Sequence, residues 1–233
     1  MMKRLGLALL FLTAPAQAAE REDLWHVVHY VCGGMNKLFG AALPCLKLDR
    51  EAGYAILRAP GDSTRIILTP TRHITGIESP ALLRPDAPPY WAYAWEHRNL
   101  VTEAAPRPLG WGDLAMAVNA RAARSQDQLH IHVGCVDPRI KAALAAQPPK
   151  THWTTLEQGP WAGKYRMRRI ELADLQGNLF KRVADEAPGA RGNMQAQGVA
   201  VIPIGSERGK AFALLDNPQH GHPEQLLDLS CGE

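Results

Sequence analysis

The chain has 233 residues, of which 46% are hydrophobic and 21% are charged, and its formal net charge is +3. This length can bury one sizeable hydrophobic core or two small ones. The near balance of acidic and basic residues argues against a nucleic-acid-binding protein, which needs a clustered basic face. We therefore expect a globular protein that does not bind nucleic acid.

The amino terminus has the three parts of a secretory signal peptide. Lys3 and Arg4 precede an apolar run over residues 5–12, and the small-residue site Ala-Gln-Ala follows at residues 16–18. We predict a signal peptide over residues 1–18, and a retained amino-terminal membrane anchor is the alternative. The apolar run is shorter than the about 20 residues that a membrane-spanning helix needs, which favours the signal peptide.

Four cysteines in an exported chain are typical of structural disulfides rather than of reactive thiols. Three pairings are possible. Cys32 and Cys45 bracket a short glycine-containing interval, which favours a bridge between them. Cys135 and Cys231 would then form the second bridge and close a loop of about 100 residues.

Local patterns predict helices and strands in chain order from residue 24. Apolar residues at the spacing of an amphipathic helix are Leu24, Val27, Val28 and Val31. Two β-like runs, residues 53–58 and 65–69, flank a turn-rich connection and indicate a hairpin. Residues 90–101 have helical spacing, and the side chains expected to face the core are Trp91, Ala94 and Trp95.

Residues 125–135 alternate polar and apolar side chains. Gln128, His130 and His132 share one parity, whereas Leu129, Ile131 and Val133 share the other. This alternation indicates a half-buried strand with both imidazoles on one face, where they can act on one small anionic group such as a phosphate. A solvated strand face and a metal-binding pair are alternatives, because short motifs occur by chance and imidazole is a common metal ligand.

Asp137 and Pro138 are typical of the start of a helix. After the Gln-Pro-Pro at residues 147–149 the composition shifts, so we divide the chain into residues 19–149 and 150–233. The second region has strand-like runs and a helical run, at residues 163–170, 197–204, 210–216 and 171–185. The succession of short strands and helices predicts an α+β fold with the helices on one side of a sheet.

A Pro-x-x-His at residues 70–73, Asn119 and Ser125 precede the alternating strand. Together with His130-Ile-His132 they resemble the histidine triad superfamily of nucleotide hydrolases and transferases. The first triad position, which is often histidine, is Gln128. Because Gln128 shares the face of the two imidazoles, we predict that it binds substrate at the edge of a phosphate site.

Longer segments resemble the bacterial CDP-diacylglycerol pyrophosphatases, and they are residues 69–80, 90–95, 130–135, 165–169 and 231–233. This resemblance implies a histidine-triad-like antiparallel sheet, with a catalytic region before residue 150 and a C-terminal α+β region that completes the fold. It implies hydrolysis of CDP-diacylglycerol to CMP and phosphatidate at the periplasmic face of the inner membrane. The protein would associate with the membrane peripherally or through an anchor, and it would need no metal or other cofactor.

Roles for five polar residues follow from the resemblance and from imidazole chemistry. His130 is the expected nucleophile, which attacks the phosphorus attached to cytidine and forms a cytidylyl-histidine that water hydrolyses. His132 is expected to donate a hydrogen bond to a nonbridging phosphate oxygen. The resemblance assigns Ser125 to the leaving-group oxygen, Asn119 to the phosphate and His73 to the outer part of the site. The alternatives are a related enzyme acting on another nucleotide diphosphate and a periplasmic metal-binding protein.

Overall fold

One antiparallel sheet carries the fold in the computed structural model, which describes residues 20–205 and 209–232. Its strands within these residues are β1 (Lys47–Asp49), β2 (Tyr54–Arg58), β3 (Ile66–Pro70), β4 (Leu114–Val118), β5 (Ile131–Val136), β6 (Thr154–Thr155), β7 (Arg166–Glu171), β8 (Gly198–Ile204), β9 (Ala211–Asn217) and β10 (Leu227–Asp228). They pair in the order β1-β2-β3-β5-β4-β8-β9-β7-β6, and β10 pairs with β5. The predicted α+β fold with an antiparallel sheet is confirmed.

The helices are short. In the described residues the α-helices are α1 (Asp23–His26), α2 (Gly33–Phe39), α3 (Tyr90–Glu96), α4 (Asn99–Ala104), α5 (Pro138–Ala146) and α6 (Leu179–Glu186). A π-helical stretch, Val27–Cys32, joins α1 to α2. None of the helices in this part of the chain is long and apolar enough to cross a bilayer. The predicted signal peptide or anchor over residues 1–18 lies outside the described residues and stays a prediction.

Helices cover both faces of the sheet, so the expectation that they lie on one side is wrong. On one face, α3 and α6 pack their aromatic and aliphatic side chains into the largest core. On the other face, α5 covers a second core and the segment from α1 to α2 covers a third. The physical reason is that β4 and β8 are apolar at both parities, so each face must be buried.

Several local predictions are confirmed. β2 and β3 form the predicted hairpin, with Tyr54 opposite Pro70. The helix predicted over residues 90–101 is divided into α3 and α4, and its three predicted core residues are buried. The Asp137 carboxylate accepts a hydrogen bond from the Arg139 backbone N–H at 2.7 Å, as a helix cap does.

The first helix buries a narrower stripe than its sequence predicts. Leu24 and Val28 are buried, but Val31 is 46% exposed and Val27 is only partly buried. The π-helical turns of Val27–Cys32 are wider than α-helical turns, so the inner stripe continues at Cys32 instead of Val31. Val31 therefore belongs to the outer surface.

Both predicted disulfides are confirmed. Cys32 at the end of the π-helical stretch is bonded to Cys45, which precedes β1. Cys135 in β5 is bonded to Cys231, and this bridge ties the C-terminal tail to the strand that carries His132. β8 also pairs with β4, so strands from both predicted regions share one sheet. The division at residue 149 stays a prediction.

Candidate active site

A cavity of about 570 Å³ opens over the sheet face that carries the two imidazoles. Across β4, β5 and β3, the paired residues Ala117, His132 and Ile67 lie side by side. Ala117 belongs to the core beneath α5, and Ile67 belongs to the core beneath α1 and α2. The cavity therefore lies between α5 and the segment from α1 to α2, which cover neighbouring parts of this sheet face. Its volume is within the usual range of small-molecule sites, roughly 300–1,000 Å³.

The loop that leads into the imidazole strand is fastened to the amino-terminal helical segment. The Arg21 guanidinium pairs with Asp127, with 2.7 Å between Nε and Oδ2. The Leu24 backbone N–H donates to Gln126 Oε1 at 2.9 Å. These contacts hold the two residues directly after Ser125, and on its other side Arg21 Nη1 donates to the backbone carbonyl oxygen of Arg124 at 3.3 Å. Ser125 itself is exposed and lies on the cavity wall.

His130 has the tautomer of a nitrogen nucleophile. Its Nδ1 lies 2.7 Å from the backbone carbonyl oxygen of Gln128. A carbonyl oxygen only accepts hydrogen bonds, so Nδ1 carries the proton and Nε2 keeps its lone pair. Burial lowers the pKa of His130, although the hydrogen bond to Gln128 opposes the shift. The imidazole is therefore neutral near pH 7, with Nε2 available to a ligand in the cavity.

His132 is the second imidazole on the cavity wall. Its ring lies edge-on to that of His130, with 4.8 Å between the centroids. Burial, followed by the neighbouring His130, lowers the pKa of His132 well below its ordinary value. Neither ring nitrogen has a hydrogen-bond partner of good geometry among the described residues, so the ring is free to hydrogen-bond a ligand.

Glu224 and Arg65 are charged residues on the cavity wall beside His132. Glu224 Oε2 lies 3.3 Å from His132 Nε2, and the other carboxylate oxygen pairs with the Arg65 guanidinium. Burial opposes ionisation, but His222, His132, Asn119 and Arg65 together hold the pKa of the Glu224 carboxyl well below its ordinary value. A carboxylate that stays ionised beside His132 can orient that ring and stabilise positive charge on it.

The sequence analysis did not identify these two residues. Arg65 directly precedes β3 and has the same parity as Ile67, which is paired with His132. Alternation along β3 could therefore have placed Arg65 on the sheet face that carries the imidazoles. Glu224 lies 88 residues after the end of β5 at Val136, and it reaches the site because the Cys135–Cys231 bridge and β10 return the tail to β5. No local pattern in the sequence indicates that return.

Three predicted site residues, Asn119, His73 and Gln128, do not lie on the cavity wall in the described structure. Asn119 is 4% exposed, and its amide is taken up by Glu224: Nδ2 donates to Oε2 at 2.8 Å, and Oδ1 accepts from the Glu224 backbone N–H at 3.2 Å. Asn119 therefore contacts the site through Glu224. His73 lies outside the cavity, where its Nε2 is 2.8 Å from Glu22 Oε2.

Gln128 is fully buried behind the site. Its Oε1 accepts a hydrogen bond from the Ile74 backbone N–H at 3.1 Å. Its Nε2 donates to the backbone carbonyls of Pro70 and Arg72 at 2.9 and 3.0 Å. The structure thus uses the Gln128 amide to join the start of the imidazole strand to the end of β3, and it does not bring this side chain to the cavity.

Comparison with known proteins gives the family. The family model described as CDP-diacylglycerol pyrophosphatase matches residues 19–233. The chain belongs to the CDP-diacylglycerol pyrophosphatase family. A CDP-diacylglycerol pyrophosphatase from Yersinia pestis is 34% identical over 219 residues, which are 90% of this chain and 84% of the relative. Proteins of the same name from Mycobacterium bovis and Mycobacterium tuberculosis are 40% identical over 234 residues, with 96% of this chain and 89% of each relative covered.

This family membership covers both predicted regions of the chain, from the amino-terminal helical segment to the tail that carries Glu224. The match to this family does not show membership of the histidine triad superfamily, which stays a prediction. Among the described residues of this CDP-diacylglycerol pyrophosphatase family member, no group of three or more His, Cys, Asp or Glu side chains is arranged to hold a metal ion.

In this CDP-diacylglycerol pyrophosphatase family member, we expect Gln128→Ala to lower the free energy of unfolding by about 1–3 kcal/mol, because it leaves buried backbone groups without partners. Turnover should fall as well, since the carbonyl that orients His130 belongs to residue 128 itself. Chemical denaturation and steady-state kinetics measure the two effects. Gln219→Ala, at an exposed glutamine, is the control, and equal stability of the two variants would contradict a structural role for Gln128.

Proposed function

We propose that this protein hydrolyses the pyrophosphate bond of CDP-diacylglycerol to give CMP and phosphatidate, through a covalent cytidylyl-histidine at His130. The names of its relatives support the reaction. The observation that carries the mechanism is the hydrogen bond from His130 Nδ1 to the Gln128 carbonyl oxygen, which leaves Nε2 as a neutral nucleophile in the cavity. Covalent catalysis divides one difficult displacement into two easier ones.

In the first step, the lone pair of His130 Nε2 forms a bond to the phosphorus attached to cytidine. The bond from that phosphorus to the bridging oxygen breaks, and the oxygen leaves with its electron pair as part of phosphatidate. In the second step, a water oxygen bonds to the same phosphorus, the Nε2–phosphorus bond breaks, and CMP leaves. The water proton passes to solvent, so the net change consumes one water for each pyrophosphate bond.

The surrounding groups supply positioning and charge. The uncommitted ring of His132 is a donor for a nonbridging oxygen of the reacting phosphate, and Arg65 supplies the positive charge that a diphosphate needs. Ser125, which is also on the cavity wall, is assigned to the leaving-group oxygen. Glu224, held by Asn119 and Arg65, is a positioning residue for His132.

The cavity suits a ligand with a charged head and an apolar tail. Its polar and charged wall includes the two imidazoles, Arg65 and Glu224, and its apolar wall includes Leu24, Val27 and Leu57. We assign the charged part to the diphosphate and the apolar part to the start of the diacylglycerol. His73, outside the cavity, is assigned only to the outer approach.

We further propose that the protein works in the periplasm, at the periplasmic face of the inner membrane. The signal-like residues 1–18 support export. Two disulfides and no free cysteine among the described residues suit an oxidising compartment. A liponucleotide substrate requires that the enzyme reach a membrane surface, whether the amino terminus is cleaved or retained as an anchor.

Product analysis tests the reaction directly. The purified protein should release equimolar CMP and phosphatidate from CDP-diacylglycerol in detergent. Release of CDP and diacylglycerol, or no release, would contradict the proposal. Faster hydrolysis of a soluble nucleotide diphosphate than of CDP-diacylglycerol would assign the same site to another substrate.

The pH dependence of kcat/KM reports the nucleophile. Neutral His130 is the reactive form, and burial lowers its pKa from the ordinary value of 6.5. The reactive form therefore persists below pH 6.5, and activity should fall only when acid protonates the ring. We expect the midpoint of the acidic limb of kcat/KM below pH 6.5, since this profile reports groups of the free enzyme. A midpoint above 6.5 would contradict a desolvated neutral nucleophile.

A further inference from the structure

Large exposed apolar side chains are concentrated in one short part of the chain. The described residues that carry them are Tyr30, Val31, Leu38, Phe39, Leu43 and Leu46, with Leu229 the one example elsewhere in the described structure. Leu38 and Phe39 are 75% and 70% exposed. We call the six residues from Tyr30 to Leu46 the amino-terminal apolar patch. A concentration of exposed apolar side chains is typical of interaction sites.

The patch is held on a rigid base. The Cys32–Cys45 bridge joins its two halves, with 5.8 Å between the Cα atoms, because Tyr30 and Val31 adjoin Cys32 whereas Leu43 and Leu46 adjoin Cys45. Beneath it, Leu24, Val28 and Cys32 pack on the sheet. The outward side chains therefore project from a segment whose inner face is already buried.

The patch is continuous with the mouth of the cavity. Val27, one turn before Tyr30, and Pro44, next to Leu43, both line the cavity. An apolar group bound against Val27 and Pro44 is therefore next to the patch only through these two residues, which are its neighbours in the sequence. The segment from α1 to α2 thus lines the candidate active site at Val27 and exposes apolar side chains to solvent farther along the chain.

Charge and chain continuity indicate what covers the patch. Residues 30–50 carry three basic side chains, Lys37, Lys47 and Arg50, against the single acidic Asp49. Basic and apolar residues together are typical of segments that lie in the interface of an anionic bilayer. The predicted signal peptide or anchor over residues 1–18, with its apolar run at residues 5–12, precedes this segment and would bring the chain to the membrane.

We propose that the amino-terminal apolar patch docks on the surface of a bilayer that contains anionic phospholipid, and that this docking presents the cavity mouth to a lipid-anchored substrate. The proposal rests on the proposed function for the substrate class. The patch itself is a separate element, because none of its six residues lines the cavity.

Brominated-lipid quenching tests the contact without using activity. The full chain with Phe39→Trp is mixed with vesicles of phosphatidylethanolamine and phosphatidylglycerol that carry bromine on their acyl chains, and Leu229→Trp is the matched control at an exposed apolar position outside the patch. We expect the fluorescence added by Phe39→Trp to be quenched and that added by Leu229→Trp to persist. If the added fluorescence at residue 39 persists, the docking proposal is overturned, whatever anchors the amino terminus.

A kinetic comparison separates docking from chemistry. We expect the double substitution Leu38→Ser and Phe39→Ser to lower the rate on long-chain CDP-diacylglycerol in these vesicles by at least about tenfold, the effect of losing burial of one such side chain. The rate on a short-chain, water-soluble CDP-diacylglycerol should stay within twofold of wild type. Equal loss on both substrates would overturn a docking role. If wild type hydrolyses neither substrate, the proposed function fails, while the quenching result still decides the docking.

A second copy of the chain is the competing occupant of the patch. Sedimentation of wild type and of the double variant over a range of concentrations distinguishes it. A wild-type dimer that the double substitution dissociates, together with unquenched Phe39→Trp, would make the patch an interface between copies and overturn the proposal. A wild-type monomer with quenched Phe39→Trp supports docking on lipid.

Discussion

His130→Ala should lower CMP release from CDP-diacylglycerol by more than about 10⁴-fold, the scale seen when a covalent nucleophile is removed. No described neighbour is expected to replace it, because the ring whose lone pair is oriented into the cavity by a backbone hydrogen bond is that of His130. His132→Ala should be milder, roughly 10²–10³-fold, as for one lost donor to a reacting phosphate. Product assays on purified variants measure both effects.

Folding and chemical rescue are the controls for this prediction. His130→Ala should unfold at a denaturant concentration close to wild type, and His152→Ala, at an exposed histidine, should keep full activity. His130→Gly should regain part of its activity with added imidazole, which can occupy the vacated space. Near-normal turnover of a folded His130→Ala variant would rule out the covalent scheme.

Loss of the Cys135–Cys231 bridge should cause the largest loss of stability. The two cysteines are 96 residues apart, and the chain-entropy model gives about 4–5 kcal/mol for a loop of this size. Both side chains are buried, so Cys135→Ala with Cys231→Ala avoids adding a polar group to the core. Denaturant unfolding without reductant measures the free energy.

The other bridge provides a matched comparison. Cys32→Ala with Cys45→Ala opens a loop with a separation of only 13 residues, for which the same model gives about 3 kcal/mol. The Cys135–Cys231 variant should also lose activity, because the released tail carries Glu224 away from His132. A smaller loss of stability than in the Cys32–Cys45 variant would contradict the tether role of the longer bridge.

Local patterns in the sequence were sufficient for the elements around the proposed nucleophile. The alternation around His130 and His132 reflects a strand with two chemically different faces, and β5 follows it with Ile131 and Val133 in the opposite core. Asp137 is a cap because its carboxylate is needed by the first free backbone N–H groups. These features depend on neighbours within a few residues, and such neighbours are visible in the sequence.

The rest of the site depends on contacts between distant segments. Arg65 and Glu224 meet only after β3 and the tail are both placed against β5. The buried position of Gln128 could not be predicted, because its parity gives the face of the strand but not what covers it. The shortest strands, β6 and β10, have two residues each, which is too few for any periodicity.

Detection of the covalent intermediate tests the central claim most directly. The enzyme is mixed with CDP-diacylglycerol labelled in the cytidine, quenched with denaturant at alkaline pH within the first turnover, digested and analysed by mass spectrometry. Phosphoramidates survive alkali better than acid, so the proposed mechanism predicts one cytidylyl group on the peptide that contains His130, at nitrogen Nε2, and none in His130→Ala. Turnover without any labelled peptide, together with inversion at the cytidine-linked phosphorus of a chirally labelled substrate, would show direct attack by water and contradict the account.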